Sequence, residues 1–216
     1  MKVLIVANGD APRPESLIAF CRAADLIIAA DGGVRHLTAI NELPDIHIGD
    51  QDSVSQEDKE KMAVAEKPVL AFSPKKDETD LELCLGHALD HSPSQIIITG
   101  GYGGRLDQAL GVISLLFDPR LAGIDARIDD GITAVARING KRSVNGEPGD
   151  LFSLIPWGQD ATDITTSGLE YPLFHETLAA HRTRGVSNVF SAGQATITFS
   201  HGKLLCIHIR QKAIGR

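Results

Sequence analysis

Short apolar runs alternate with helix-length amphipathic stretches from the start of the chain to about residue 128, and that alternation leaves few folds open. Val3–Ala7, Leu26–Ala30, Val69–Phe72, Ile96–Thr99 and Ala126–Ile128 read as strands. Several are apolar at consecutive positions, the pattern of strands buried on both faces of a parallel sheet. Helices are predicted over Ser16–Ala23, Val34–Ile40, Gln56–Ala65, Asp80–Leu89 and Leu106–Phe117. The last of these carries apolar residues at Leu106, Ala109, Leu110, Ile113, Leu116 and Phe117, a helical i, i+3, i+4, i+7 stripe. The expected fold is α/β: a doubly wound, mostly parallel sheet with helices on both faces.

From about residue 131 the pattern changes to short strands separated by turn residues. Val135–Ile138 and Lys141–Val144 flank Asn139-Gly140, and Ala195–Phe199 and Lys203–Ile209 flank Ser200-His201-Gly202. Both read as β-hairpins. With Leu151–Ile155 as a further strand, this part is expected to be an antiparallel β-sandwich. The predicted division is residues 1–128 and 129–216, with hardly any tether between the parts.

Open α/β sheets bind ligands at the carboxyl ends of their strands, and the chemically capable residues of this chain fall there. Asn8-Gly9-Asp10 follows the first strand, Asp31-Gly32-Gly33 the second, and Gly49-Asp50-Gln51-Asp52-Ser53 the short run Ile46-His47-Ile48. Lys75-Lys76-Asp77-Glu78-Thr79-Asp80 follows Val69–Phe72, and Gly100-Gly101-Tyr102-Gly103-Gly104-Arg105 follows Ile96–Thr99. A purely structural sheet has no need of five such ends on one edge.

Asp50 and Asp52 either converge on one cation, where oxygen ligands suit a hard ion such as Mg²⁺, or belong to a solvated acidic loop. Thr79 and Glu82 form a capping box, which makes Asp80 the first residue of its helix. There Asp80 either complements the helix dipole or supplies a third oxygen ligand beside Asp50 and Asp52. Gly100, Gly101, Gly103 and Gly104 either form a tight turn only or leave backbone N–H groups open to an anion just ahead of a helix N-terminus, and the adjacent arginine favours the anion site. Arg105 adds a bidentate phosphate donor. The run is not a P-loop, because no Gly-Lys-Ser/Thr follows. Lys76 is either a solvated lysine or a point charge for a phosphate. Asp31 is placed to bind substrate or to assist deprotonation of a hydroxyl, and Asp107 to hold Arg105 or a substrate amine; either could equally be a helix-start carboxylate. His87 and His91 lack a metalloprotease pattern and read as a surface pair. With no nucleophile arrangement in view, the chemistry indicated is metal-assisted phosphoryl transfer without a covalent intermediate.

A formal charge of −7 argues against nucleic acid as the partner. It also means that a polyphosphate would need a local basic cluster or a metal. Cys21, Cys84 and Cys206 are scattered and odd in number, which suggests buried thiols in a reducing compartment. The short apolar start is unlike a signal peptide and no later run is long enough to span a membrane, so a cytoplasmic protein is expected.

Taken together, the ordered motifs resemble the thiamine pyrophosphokinase family over nearly the whole chain. The resemblance rests on Asp31-Gly32-Gly33, Gly49-Asp50-Gln51-Asp52-Ser53, Lys76-Asp77-Glu78-Thr79-Asp80 and Gly103-Gly104-Arg105-Leu106-Asp107. In the second part it rests on Gly168-Leu169-Glu170-Tyr171-Pro172-Leu173 and Val186-Ser187-Asn188. It implies an α/β catalytic domain that binds ATP and metal, followed by a β-sandwich that binds thiamine. It implies transfer of the pyrophosphoryl group of ATP to the thiamine hydroxyl, with release of AMP. Asp50, Asp52 and Asp80 would hold Mg²⁺. Lys76, Arg105, Gln108 and the glycines Gly100, Gly101, Gly103 and Gly104 would face ATP. Asp31 and Asp107 would belong to the catalytic cleft, and Ser187 and Asn188 would lie near thiamine. A homodimer with the thiamine site at the subunit boundary is implied as well. Gln108 stands where many bacterial members have His, Val112 where Asn is common, Val189 and Phe190 where an acidic residue is frequent, and Cys206 near the place of a Trp in some members. The alternatives are a pyrophosphokinase for another alcohol, such as a hydroxymethylpterin, and a non-catalytic nucleotide- or thiamine-sensing protein.

Overall fold

The computed structural model describes residues 1–50, 52–72 and 77–212. The chain divides into two compact units, Met1–Asp130 and Gly131–Arg216.

Six parallel strands form the sheet of the first unit: β1 (Lys2–Val6), β2 (Leu26–Ala30), β3 (Ile46–Ile48), β4 (Val69–Leu70), β5 (Gln95–Thr99) and β6 (Asp125–Asp129). Their spatial order is β6-β5-β1-β2-β3-β4. The chain steps outward from β1 to β4, then returns to the other side of β1 for β5 and β6. Right-handed crossovers require the helices to change face when the direction of stepping reverses. Accordingly Leu4, Val6, Ala29 and Ile97 cluster with Leu17 and Cys21 of α1 (Pro14–Ala23), Val34 and Leu37 of α2 (Val34–Thr38) and Met62 of α3 (Gln56–Val64). Val3, Ile5, Ile28, Ile96 and Ile98 alternate to the opposite face and are also buried. There α4 (Asp80–Asp90) packs against β1, β2 and β3 through Leu81, Cys84, Leu85 and Ala88. Each large aliphatic side chain buried this way contributes about 1.5–3 kcal/mol. The sheet is therefore doubly wound, and its switch point lies between β1 and β5.

Two local readings change. Val69–Phe72 is shorter than expected: the strand is two residues, and Val69, Leu70 and Phe72 are exposed because it lies at the sheet edge. On α5 (Leu106–Leu115) the inward line is Ala109, Val112 and Ile113, continued by Leu116, so Leu106 and Leu110 of the expected stripe face outward. Val112 takes their place because it packs over Gly101: a Cβ on that glycine would stand 3.1 Å from the Val112 side chain.

The second unit is a β-sandwich of two antiparallel sheets. Its strands are β7 (Thr133–Ile138), β8 (Lys141–Asn145), β9 (Leu151–Pro156), β10 (Ala161–Ser167), β11 (Glu176–Leu178), β12 (Asn188–Val189), β13 (Gln194–Thr198) and β14 (Leu204–Ile209). One sheet runs β12-β9-β14-β7 and the other β11-β10-β13-β8. Phe152, Ile164, Phe190, Ile197, Leu204 and Cys206 fill the space between them. Phe152 and Phe190 meet edge to face at 5.3 Å.

The two expected hairpins are corners instead. β7 pairs with β14 and β8 with β13, so Asn139-Gly140 and Ser200–Gly202 each carry the chain from one sheet to the other. Two long segments run side by side and bend together, and the Phe199 N–H donates to the Gly140 carbonyl at the bend (2.8 Å). A two-residue turn sequence specifies a reversal of direction; which strand pairs with which is decided by the core.

Asp150 ties the loop between β8 and β9 to the end of β14. Its carboxylate accepts from the N–H groups of Glu147 (3.0 Å) and Gln211 (2.9 Å) and lies 2.7 Å from His208 Nε2. Burial pushes the Asp150 carboxyl up, but the Glu147 N–H, His208 and the Gln211 N–H outweigh it and hold it below the usual carboxylate range. A depressed folded-state pKa adds stability above the unfolded value, about 3.9, and that stability is lost as pH falls through the folded value. Asp150→Asn is accordingly expected to cost about 1–3 kcal/mol at neutral pH. The gap to the parent should close as pH falls below about 4, as read by denaturant melts across the pH range.

Candidate active site

The carboxyl ends of β1 and β5 stay joined beyond the sheet. Ala7 donates to Thr99 O (2.8 Å), Gly9 to Gly100 O (2.7 Å) and Asp10 to Tyr102 O (2.6 Å). The approach is so close that a Cβ on Gly9 would stand 2.1 Å from Tyr102 O. From α2, the Arg35 guanidinium donates to the carbonyls of Asn8 and Gly9, both at 3.0 Å. The switch point thus has a rigid floor.

Around it stand the carboxylates. One oxygen from each of Asp31, Asp50 and Asp80 lies within 4.8 Å of the other two, and all three residues are half-buried. Asp31 follows β2 in a left-handed conformation, φ +47°, uncommon for a residue with a side chain. Gly49 brings Asp50 alongside; a Cβ there would sit 3.1 Å from the Asp31 Cα. Asp80 opens α4, where Thr79 Oγ1 accepts from the Glu82 N–H (3.2 Å) as the N-cap.

The trio differs from the sequence expectation at one member: Asp31 stands where Asp52 was expected. The spacing of Asp50 and Asp52 would align their side chains on a strand, but β3 has ended and the segment turns. Asp52 donates its backbone N–H to Asp50 Oδ1 (3.1 Å) and leaves its own side chain exposed. Lys76 lies outside the described residues.

Buried polar atoms without a partner among the described residues gather at the same strand ends. They are Asn8 Oδ1, Asp31 Oδ1, His47 Nδ1, Thr99 Oγ1 and Tyr102 Oη. Each such atom costs about 1–3 kcal/mol when nothing satisfies it. Asn8 Nδ2 donates to the other Asp31 oxygen at 3.4 Å. His47 is fully buried on β3, its Nε2 3.0 Å from the Asp31 carbonyl. Burial pushes its pKa down and outweighs that hydrogen bond and the charges of Asp31 and Asp80, so the ring is neutral near pH 7. Burial also pushes the Tyr102 phenol far up, with Asp130 and Asp129 adding to the effect. The signal missed in the sequence was His47, a polar residue inside an apolar triplet that must be buried.

The glycine turn carries left-handed backbone at Gly100, Gly103 and Gly104, with φ +64°, +106° and +65°. Arg105 and Asp107 form a bidentate pair at 3.2 and 2.5 Å on the exposed first turn of α5, and the Arg105 hydrogen bond lowers the Asp107 pKa. Among the described residues, the partner of Asp107 is Arg105. Gln108 is exposed one residue further on.

In the second unit, Ser187 and Asn188 line a cleft of about 400 Å³ together with Leu154, Leu169, Tyr171 and Leu173. Asn188 makes three hydrogen bonds there. Its Oδ1 accepts from the N–H groups of Tyr171 (3.0 Å) and Val189 (2.8 Å), and its Nδ2 donates to Tyr171 O (2.7 Å). Ser187 is exposed, with φ +63°, and its N–H donates to Ser153 Oγ (3.0 Å). Tyr171 projects with 65% of its surface exposed. Cys206 is buried in the sandwich core, so no aromatic platform arises at that position. His87 and His91 meet edge to face at 5.1 Å and recruit no third ligand among the described residues.

A carboxylate trio and a glycine turn lie on the carboxyl edge of a doubly wound sheet, where α/β proteins bind their ligands. Comparison with known proteins makes this particular. Residues 18–128, more than half of the chain, match the family described as thiamin pyrophosphokinase, catalytic domain, and residues 137–204 match its vitamin B1 binding domain. The chain belongs to the thiamin pyrophosphokinase family and is an enzyme, a kinase of the transferase class. It is 29% identical to the thiamine pyrophosphokinase of Bacillus subtilis over 94% of this chain and 96% of that protein. It is 26% identical to thiamine pyrophosphokinase 1 of Oryza sativa over 96% and 87%. The crystal structure of the Bacillus subtilis enzyme superposes with a TM-score of 0.86, at 27% identity, over 97% of this chain and 99% of that one. Thiamin pyrophosphokinase from Candida albicans shares the fold at a TM-score of 0.85 and 15% identity, over 96% and 88%.

Proposed function

We propose that this enzyme transfers the pyrophosphoryl group of ATP to the hydroxyl of thiamine by direct, Mg²⁺-assisted displacement, yielding thiamine diphosphate and AMP. The observation that carries the reading is the convergence of Asp31, Asp50 and Asp80 beside the switch point, in a chain matching both family domains in order. Three carboxylates, one with a buried oxygen lacking a partner among the described residues, fit a hard divalent cation. Asp52 is the fourth candidate ligand, on the same exposed turn. Mg²⁺ held by these residues would neutralise phosphate charge that an acidic protein otherwise repels.

The remaining work falls to the chain's own groups. The turn from Gly100 to Gly104, with Gly100 and Gly101 buried at its base and Gly103 and Gly104 nearer the surface, and the N-terminus of α5 receive phosphate oxygens. Arg105 exchanges Asp107 for phosphate at little cost, because water screens an exposed ion pair. Lys76 adds a point charge, and Gln108 lies on the nucleotide side. The thiamine hydroxyl oxygen bonds to the β-phosphorus as the bond to the α,β-bridging oxygen breaks. AMP leaves, and the hydroxyl proton passes to a carboxylate, for which Asp31 and Asp107 are the candidates.

Thiamine is assigned to the cleft of the second unit, beside Ser187 and Asn188. Because Asn188 grips the Tyr171 backbone from both sides, Asn188→Ala is expected to loosen the cleft wall. The thiamine KM should rise about tenfold while kcat stays within about threefold, as measured by steady-state kinetics. Tyr171, Phe174 and Val186 are exposed apolar side chains of the same unit, which supports a homodimer with the thiamine site at the subunit boundary. Three buried cysteines support a cytoplasmic setting. No helix among the described residues is long and apolar enough to cross a membrane.

One assay tests the reaction: ATP, Mg²⁺ and thiamine are incubated with the protein and the nucleotide products are resolved. AMP with thiamine diphosphate is the expected result. ADP would indicate a simple kinase, turnover only with a hydroxymethylpterin a different acceptor, and no turnover a sensor.

A further inference from the structure

Asp31 faces two difficulties that its own sequence position does not solve. It sits at φ +47°, and its carboxylate is held close to those of Asp50 and Asp80. A non-glycine residue in this region is held there by its surroundings. The enforcing contact comes from the neighbouring strand. His47 on β3 lies in register with Ala29 of β2, two residues before Asp31, and its Nε2 reaches the Asp31 carbonyl at 3.0 Å. A carbonyl can only accept, so the Nε2 proton is on the ring. His47 has no exposed surface and touches solvent nowhere.

We propose that His47 is a positioning residue for the cation site, its Nε2–H clamping the Asp31 carbonyl so that the Asp31 carboxylate is presented to Asp50 and Asp80. The inference rests on the reading of those carboxylates as a divalent-cation site. Its logic is that of the outer hydrogen bonds that orient ligands in metal sites, whose loss costs about 10–100-fold in affinity. A leucine at position 47 would satisfy burial equally well and would leave no ring nitrogen without a partner among the described residues. A histidine there is explained by the bond it makes, not by packing.

The test is Mn²⁺ binding to the nucleotide-free protein by titration calorimetry, with the Mg²⁺ concentration for half-maximal turnover as a second readout. His47→Leu is expected to weaken Mn²⁺ binding about tenfold or more and to raise the Mg²⁺ requirement in proportion. The thiamine KM at saturating Mg²⁺ should be unchanged. His47→Gln, which carries an N–H at similar reach, is expected to bind within about threefold of the parent. A folded His47→Leu protein that binds Mn²⁺ as tightly as the parent overturns the clamp and leaves the cation reading intact. A folded His47→Gln protein as weak as His47→Leu also overturns the clamp. A parent protein that takes up no Mn²⁺ overturns the cation reading and the clamp together.

Discussion

Asp80→Asn is expected to lower kcat/KM for thiamine by about 10³-fold, the scale on which loss of one charge-stabilising group acts. Folding should be nearly untouched. Asp80 opens α4, where a negative charge contributes about 0.3–1 kcal/mol through the helix dipole. Removing it also relieves repulsion among three carboxylates whose oxygens lie within 4.8 Å of one another, and the two effects oppose. Steady-state AMP formation and a thermal melt measure both sides. Activity near that of the parent would sink the cation assignment. Asp52→Asn, run beside it, is expected to lose about tenfold, because Asp52 shares the turn but its carboxylate stands outside the trio. Equal losses would place Asp52 among the direct ligands once nucleotide is bound.

Gly33→Ala should produce the opposite profile, a large loss of stability from one methyl group. The Cβ would stand 2.1 Å from the Val6 carbonyl oxygen, and that oxygen belongs to backbone that cannot turn aside. Either β1 or the start of α2 must shift, at a cost of about 3 kcal/mol or more. For a chain of this size that corresponds to a fall in melting temperature of about 10 °C, and scanning calorimetry would show it. A melt within about 2 °C of the parent would mean that β1 and α2 are free to separate.

Much of this fold was legible because its signals are local. Consecutive apolar residues in Leu26–Ala30 and Gln95–Thr99 can be satisfied only by burial on both faces, and they form interior strands of the parallel sheet. Thr79 and Glu82 announced the start of α4 three residues apart, and the helix begins there. The sandwich strands were legible singly, but their pairing was not. Asn139-Gly140 and Ser200–Gly202 sit between strands of different sheets, and a turn sequence is silent about which sheet its flanks join. Leu106 and Leu110 kept the helical period yet face outward, since periodicity gives a face and not its partner.

The candidate site divides in the same way. Residue type and order along the chain determined which carboxylates, glycines and cations lie on the strand ends, because α/β connectivity sends every loop after a strand to one edge. Which carboxylates meet was decided by tertiary structure. Asp31 and Asp50 are nineteen positions apart but adjacent across β2 and β3, whereas Asp50 and Asp52 are separated by a turn. His47 belongs mostly to this second category: its apolar neighbours mark it as buried, but only strand register brings its ring to the Asp31 carbonyl. A side chain's chemistry is carried by its residue, but the direction in which it points is fixed by backbone held in place by distant partners.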